Sequence, residues 1–278
     1  MKKYLSGLLT GIIISLSITG FAAVKLTAQY SEARVKLDGN YLGGKVVSVN
    51  DGKTSKNYVS IDAIVKALNA SYKWNGATKT IELTRPKPLT VEQVAKDNLN
   101  NCVLITCYKN GEQIGTGSGV IIDVKGTAYI LTNKHVLDMG VEYGISYQWI
   151  AEDLEYKTKS VVQLDTDLDI GLIRSPVTPK SYAKFGDSDK VVIGNNIVLI
   201  SSPGGMRNTV TNGIVSSIRT DYNMNHFQIT ARATPGSSGG GLFNMNGELI
   251  GLMEKGPTEE ENCTIQINAI KKVLEKLQ

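Results

Sequence analysis

Histidine and cysteine are scarce in this 278-residue chain, which has two of the first and three of the second. All five lie beyond residue 101, so the N-terminal third offers no soft donor for a transition metal. An odd cysteine count leaves at least one thiol unpaired within the chain and gives no sign of a disulfide framework. Cys102 and Cys107 fall in one strand-like stretch, where five residues at ~3.3 Å each separate them by roughly 16 Å, too far for a bridge between them. Cys263 could pair with either only if the fold brought it close; small buried residues are the expectation. Also missing is any clustered tract of Lys and Arg: 30 basic and 26 acidic residues are scattered, and the net charge is +4. No nucleic-acid partner is expected from that pattern. No long apolar run follows residue 24, so nothing returns the chain across a membrane. No motif implies a metal or an organic cofactor.

What is present begins with a leader. Met1-Lys2-Lys3 precedes an uncharged, largely apolar run from Leu5 to Val24, the layout of a positive n-region and a hydrophobic h-region. Small-residue cleavage sites occur at Gly20-Phe21-Ala22 and Leu26-Thr27-Ala28, while a run of about 20 apolar residues is also long enough to span a bilayer. Residues 1–28 are therefore a signal peptide or a membrane anchor, and the rest of the chain is expected outside the cytoplasm, secreted or anchored. The remaining length and the 41% hydrophobic content suit two folded units with packed cores.

Residues 29–85 read as a small α+β unit. Val35 and Leu37 alternate before a turn at Asp38-Gly39, and a second turn falls at Asn50-Asp51-Gly52. Ser60 is placed to cap a helix with Ile61, Ile64, Val65 and Leu68 on one face, and Asn75-Gly76 joins two further strands. Arg85-Pro86-Lys87-Pro88 interrupts both periodicities and sets a stiff linker at residues 86–90. Val35-Lys36-Leu37-Asp38-Gly39, Tyr58-Val59-Ser60, Ala67-Leu68-Asn69-Ala70 and Tyr72-Lys73-Trp74-Asn75 resemble the N-terminal-domain-like module of copper amine oxidases. With no His or Cys in it, a stalk, spacer, cell-wall or membrane-surface contact is the expected role rather than copper chemistry.

From residue 91 to 278 a helical turn is followed by many short strands punctuated by glycine, which argues for an all-β sandwich or barrel. A final amphipathic helix, opened by Asn268 as its N-cap, carries Ile270, Val273, Leu274 and Leu277. Within this region Thr234-Pro235-Gly236-Ser237-Ser238-Gly239-Gly240-Gly241 can set a serine hydroxyl beside convergent backbone N–H groups. A serine is a weak nucleophile at neutral pH and needs an imidazole base oriented by a carboxylate. His135 sits where an apolar strand ends in a polar turn, the edge position a cleft base requires. Asp165, Asp167 and Asp169 alternate, and Asp169 leads because Ile170-Gly171-Leu172-Ile173 follows it into a buried strand.

These residues resemble the trypsin-like serine proteases of the HtrA/Deg kind from about Leu89 onward. The resemblance rests on Gly115-Thr116-Gly117-Ser118-Gly119-Val120, Thr132-Asn133-Lys134-His135-Val136, Asp169-Ile170-Gly171-Leu172, Gly186-Asp187-Ser188-Asp189, Thr209 to Ser216, and Pro235 to Gly240. It implies a mainly β, chymotrypsin-like double six-stranded barrel with the site in the cleft between barrels. Ser238 would be the nucleophile, His135 the base and acid, and Asp169 its orienter. The N–H groups of Gly236 and Ser238 would form the oxyanion hole, and a protein or peptide the substrate. Arg232, six residues before Ser238, would lie at the base of the primary pocket and favour acidic side chains if it points inward; if it turns to solvent, small aliphatic ones are expected. Gly241, Ser237 and Gly171 depart from the family pattern, and the sequence ends at Gln278 with no PDZ domain expected. The rival from another class is a catalytically silent surface protein that binds polypeptide. A carboxylesterase of the α/β-hydrolase kind is a lesser one, since it needs a strand-to-helix elbow and a Ser, Asp, His order.

Overall fold

The computed structural model describes residues 27–31, 36–37, 40–41, 46–50, 54–67, 70–78, 80–84, 88–162, 164, 167–221, 224–254 and 262–277. The leader up to residue 26, the turns at Asp38-Gly39 and Asp51-Gly52, linker residues 85–87 and Asp165 lie outside them. The chain divides into two units, Met1–Lys87 and Pro88–Gln278.

The first unit carries β1 (Thr27–Ser31), β2 (Lys36–Leu37), β3 (Asn40–Tyr41), β4 (Val46–Asn50), β5 (Ser55–Val59), α1 (Ile61–Ala67), β6 (Ser71–Asn75) and β7 (Thr80–Thr84). Strands β1, β4 and β5 form an antiparallel sheet in that order, and β6 and β7 form a hairpin. The Asn75 side-chain oxygen accepts from the N–H of Ala77 at 3.1 Å and of Thr78 at 3.2 Å, an Asx turn that reverses the chain where Asn75-Gly76 was expected to.

The second unit opens with α2 (Val91–Asn98). Its cap is reciprocal: Gln93 N–H donates to the Thr90 hydroxyl at 3.2 Å while Thr90 N–H donates to the Gln93 side chain at 2.9 Å. Then come β8 (Cys102–Lys109), β9 (Glu112–Val124), β10 (Thr127–Thr132), α3 (Lys134–Met139), β11 (Glu142–Tyr147), β12 (Tyr156–Thr158), β13 (Val161–Val162) and β14 (Gly171–Arg174). These strands make one curled, seven-stranded antiparallel sheet in the order β12-β11-β8-β9-β10-β14-β13. Strands β15 (Asn196–Ser201), β16 (Thr209–Asp221), β17 (Met224–Ile229), β18 (Gly241–Asn244), β19 (Leu249–Glu254) and β20 (Asn262–Gln266) close into a six-stranded barrel, and α4 (Ile267–Leu274) follows.

The mainly β, two-barrel expectation therefore holds, with one difference in the first half. Its two edge strands, β12 and β13, are three and two residues long, and among the described residues no pairing joins them into a closed ring. Too few ladder bonds are on offer there to complete a barrel.

Strand alternation explains how the halves join. In β9, Val120 and Ile122 face one core and Ile121 the other; in β15, Val198 and Ile200 face the first of these while Leu199 points into the closed barrel. Val120, Ile122, Val198 and Ile200 thus share one core with Leu131, Phe243, Leu252 and α4, which seals the sheet against the barrel. Each such side chain, taken fully out of water, contributes about 1.5–3 kcal/mol. Helix α4 starts at Ile267, so Asn268 lies in its first turn rather than at the cap. Its amide instead donates to Asp187 at 2.8 Å, tying the helix to the Gly186-Asp187-Ser188-Asp189 motif. Cys102, Cys107 and Cys263 are all buried, the first two as free thiols, and burial pushes the Cys107 thiol up to about 11.

Candidate active site

The loop from β17 to β18 carries Ser238, and a dense set of main-chain bonds fixes it. Ser237 N–H donates to Thr234 O, Gly239 N–H to Met253 O and Gly240 N–H to Ser237 O, each at 2.9 Å, and Gly204 N–H reaches Pro235 O at 2.8 Å. Among the described residues, the N–H groups of Gly236 and Ser238 have no acceptor in this scaffold. Two unsatisfied donors on one turn are what an incoming oxyanion needs. Gly236 and Gly239 adopt φ of +95° and +85°, a region that costs a residue with a Cβ strain.

The sheet braces this loop from across the unit. Ser118 of β9 donates its N–H to Ser238 O at 2.7 Å and its hydroxyl to Gly236 O at 2.8 Å, and the same hydroxyl accepts from Ser202 N–H at 2.8 Å. Thr132 at the end of β10 donates its hydroxyl to Ser118 O at 2.7 Å. Sequence reasoning gave Ser118 no role of its own. The available signal was a polar side chain among apolar neighbours in a strand, buried and therefore bound to need partners.

His135 is placed by α3, which starts directly after β10. Asn133, the residue before this helix, does not cap it with its side chain; it donates to Asp169 O at 2.8 Å. The Asp169 carboxylate does the capping, accepting from His135 N–H at 2.9 Å through Oδ1 and from His135 Nδ1 at 2.5 Å through Oδ2. One carboxylate thereby fixes both the helix turn and the ring it carries. Burial alone would raise the Asp169 pKa, but the hydrogen bonds and charge of His135 outweigh it, and the carboxyl stays below its ordinary value. The His135 side chain is 41% exposed and that of Asp169 24%, so the imidazole is the more open to solvent. At Gly171 a Cβ would collide with the Leu137 side chain, so glycine there lets α3 pack on β14.

His135 and Ser238 line the same cavity, of about 960 Å³, together with Gly236 and Ser237. Of the two described aspartates in the alternating set, Asp167 and Asp169, Asp169 is the one that reaches His135. Arg232 is exposed and does not line the cavity, so the charge expected at the base of a primary pocket is missing from this wall. Its carbonyl accepts from the Thr211 hydroxyl at 3.1 Å, in the segment after β17.

Residues 117–252 match the trypsin-like peptidase domain. Over 220 residues the chain is 31% identical to a protein named "Serine protease HtrA-like" from Staphylococcus haemolyticus, covering 72% of this chain and 32% of that protein. Over 144 residues it is 36% identical to the periplasmic pH-dependent serine endoprotease DegQ of Escherichia coli, covering 50% and 30%. Among solved structures, the serine endoprotease from Yersinia pestis superposes with a TM-score of 0.56 at 25% identity, over 69% of this chain and 67% of that one. The HtrA-type protease AlgW with a tripeptide has a TM-score of 0.58 at 23% identity, over 67% and 62%, a likeness of fold. The chain spans about a third of the length of these curated relatives. The match to the trypsin-like peptidase domain falls within its second unit. The relatives that it matches are serine proteases of the HtrA type.

Proposed function

We propose that the chain is an extracytoplasmic serine endopeptidase that hydrolyses peptide bonds through an acyl-enzyme on Ser238. The observation that carries this reading is the Asp169–His135 pair opening on the same cavity as Ser238, beside the two N–H groups without an acceptor. Asp169 accepts a hydrogen bond from Nδ1–H, which holds the proton there and leaves Nε2 as the basic nitrogen. The Ser238 oxygen attacks the substrate carbonyl as Nε2 takes its proton, and the tetrahedral oxyanion accepts from Gly236 and Ser238 N–H. Nε2 then protonates the departing amine and the C–N bond breaks. A water molecule repeats the sequence on the ester, releasing the acid and restoring the hydroxyl.

The leader at residues 1–28 and the periplasmic names of several relatives support an extracytoplasmic location. We assign residues 29–85 to the copper amine oxidase N-terminal-domain-like module, as a spacer or wall contact that presents the protease, which occupies residues 91–278 after the linker at 86–90.

A fluorophosphonate probe and casein hydrolysis test the assignment. The purified protein is expected to be labelled once and to cleave casein, with both signals gone in Ser238→Ala. A folded protein that does neither, or labelling that persists in Ser238→Ala, would overturn it.

A further inference from the structure

The cavity wall opposite in sign to the expected Arg232 is made by the end of β19. Met253 is tied to the nucleophile loop in both directions, its carbonyl accepting from Gly239 N–H at 2.9 Å and its N–H donating to Gly240 O at 2.7 Å. That double bond to the loop sets the next residue, Glu254, at a fixed backbone distance from Ser238. Met253 is buried in the core of the closed barrel, so strand alternation turns Glu254 to the other side, and Glu254 lines the cavity.

The carboxylate is also oriented. His226 Nε2 lies 3.0 Å from Glu254 Oε2, and the two side chains are 15% and 18% exposed. The imidazole engages one carboxylate oxygen, Oε2. Next to it, Asn262 donates its amide to Ala231 O at 3.0 Å, which directs its carbonyl oxygen elsewhere, and it lines the same cavity. Among the described residues that line the cavity there is no lysine or arginine, and Glu254 is the one carboxylate. A substrate group entering beside Met253 meets the Glu254 carboxylate. A lysine or arginine side chain beside Glu254 brings donors and a positive charge to its carboxylate, whereas an Asp or Glu side chain there would meet like charge.

Resting on the serine-endopeptidase reading, we infer that Glu254 is a specificity residue, selecting peptides with a lysine or arginine side chain in the subsite beside Met253. His226 acts through it as a positioning residue.

Internally quenched peptides with Lys, Gln or Glu at each position flanking the cleaved bond test this on the full protein, with fluorophosphonate labelling of each variant as the check on a folded site. At one position the wild type is expected to prefer Lys over Glu by about tenfold or more in kcat/KM. Glu254→Gln should erase that ratio, and Glu254→Lys should invert it while the probe still labels Ser238. A labelled wild type that cleaves Lys and Glu peptides equally, or a Lys preference untouched in Glu254→Gln, overturns the role of Glu254 alone. A wild type that neither labels nor cleaves any peptide overturns the endopeptidase reading and the role of Glu254 with it.

Discussion

Asp169→Asn should lower kcat by about four orders of magnitude while leaving the fold in place. The substituted side chain is the same size, and its oxygen can still accept from His135 N–H, the bond that caps α3 at 2.9 Å. What changes is the group facing Nδ1. In the wild type Oδ2 accepts there at 2.5 Å; an amide NH2 in that place donates, and the ring must present Nδ1 as the acceptor. The ring proton then sits on Nε2, the nitrogen that has to take the Ser238 proton. Steady-state kinetics with casein or a peptide reads the loss, and a thermal melt separates it from unfolding. A variant retaining a tenth of the wild-type kcat would show that Asp169 is not the orienter.

The same substitution has a pH signature. Asp169 titrates below its ordinary value in the folded state. Its ionised form therefore stabilises the fold at and above the pH where an unfolded aspartate is charged, and that contribution disappears as pH falls through the folded value. Asn cannot titrate, so the acid limb of the stability curve should flatten in Asp169→Asn, by denaturant melts across the acid range.

Gly239→Ala should damage both stability and rate. The residue has φ +85°, and a Cβ there would collide with Ser118 O and Thr132 Oγ1, two atoms already engaged with each other. Neither belongs to a flexible end: one is backbone and the other a buried hydroxyl. The loop has to move, at a cost of about 2–4 kcal/mol. Moving it displaces Ser238 N–H from the oxyanion position, a loss of about 10²–10³ in kcat. Gly111→Ala is the control, since Gly111 has a similar φ of +82° with nothing within 4 Å of its Cβ. Only the backbone strain remains there, about 1 kcal/mol, with the rate unchanged. Equal urea midpoints for the two variants would mean that the packing around Ser118 does not constrain the loop.

Local patterns carried much of this architecture. The glycine-flanked Ser238, the strand end before His135 and the polar turn before Ile170 were readable because each is a short-range feature. So was the β-rich character of the second unit. The open edge of the first sheet was not, because strand closure depends on pairings between residues far apart in sequence. Arg232 left two readings open in the sequence for the same reason, and its exposed side chain matches the solvent-facing one. Glu254 and His226 come together from two strands with β20 between them, and nothing in the intervening sequence announces that register. Asn268 was read from helix-cap preference, but tertiary partners at Asp187 and Ser188 took its donors and the helix began two residues earlier, with Gln266 at the cap position.

Ser118 belongs to the sheet, yet its bonds end on Ser238 O and Gly236 O of the β17–β18 loop and on Ser202 N–H just after β15, all parts of the closed barrel's half. The two halves are consequently not interchangeable parts. A sheet from another source would have to bring a serine at the same register to hold the Ser238 loop as Ser118 does. Inheritance of the catalytic loop is inheritance of the joint.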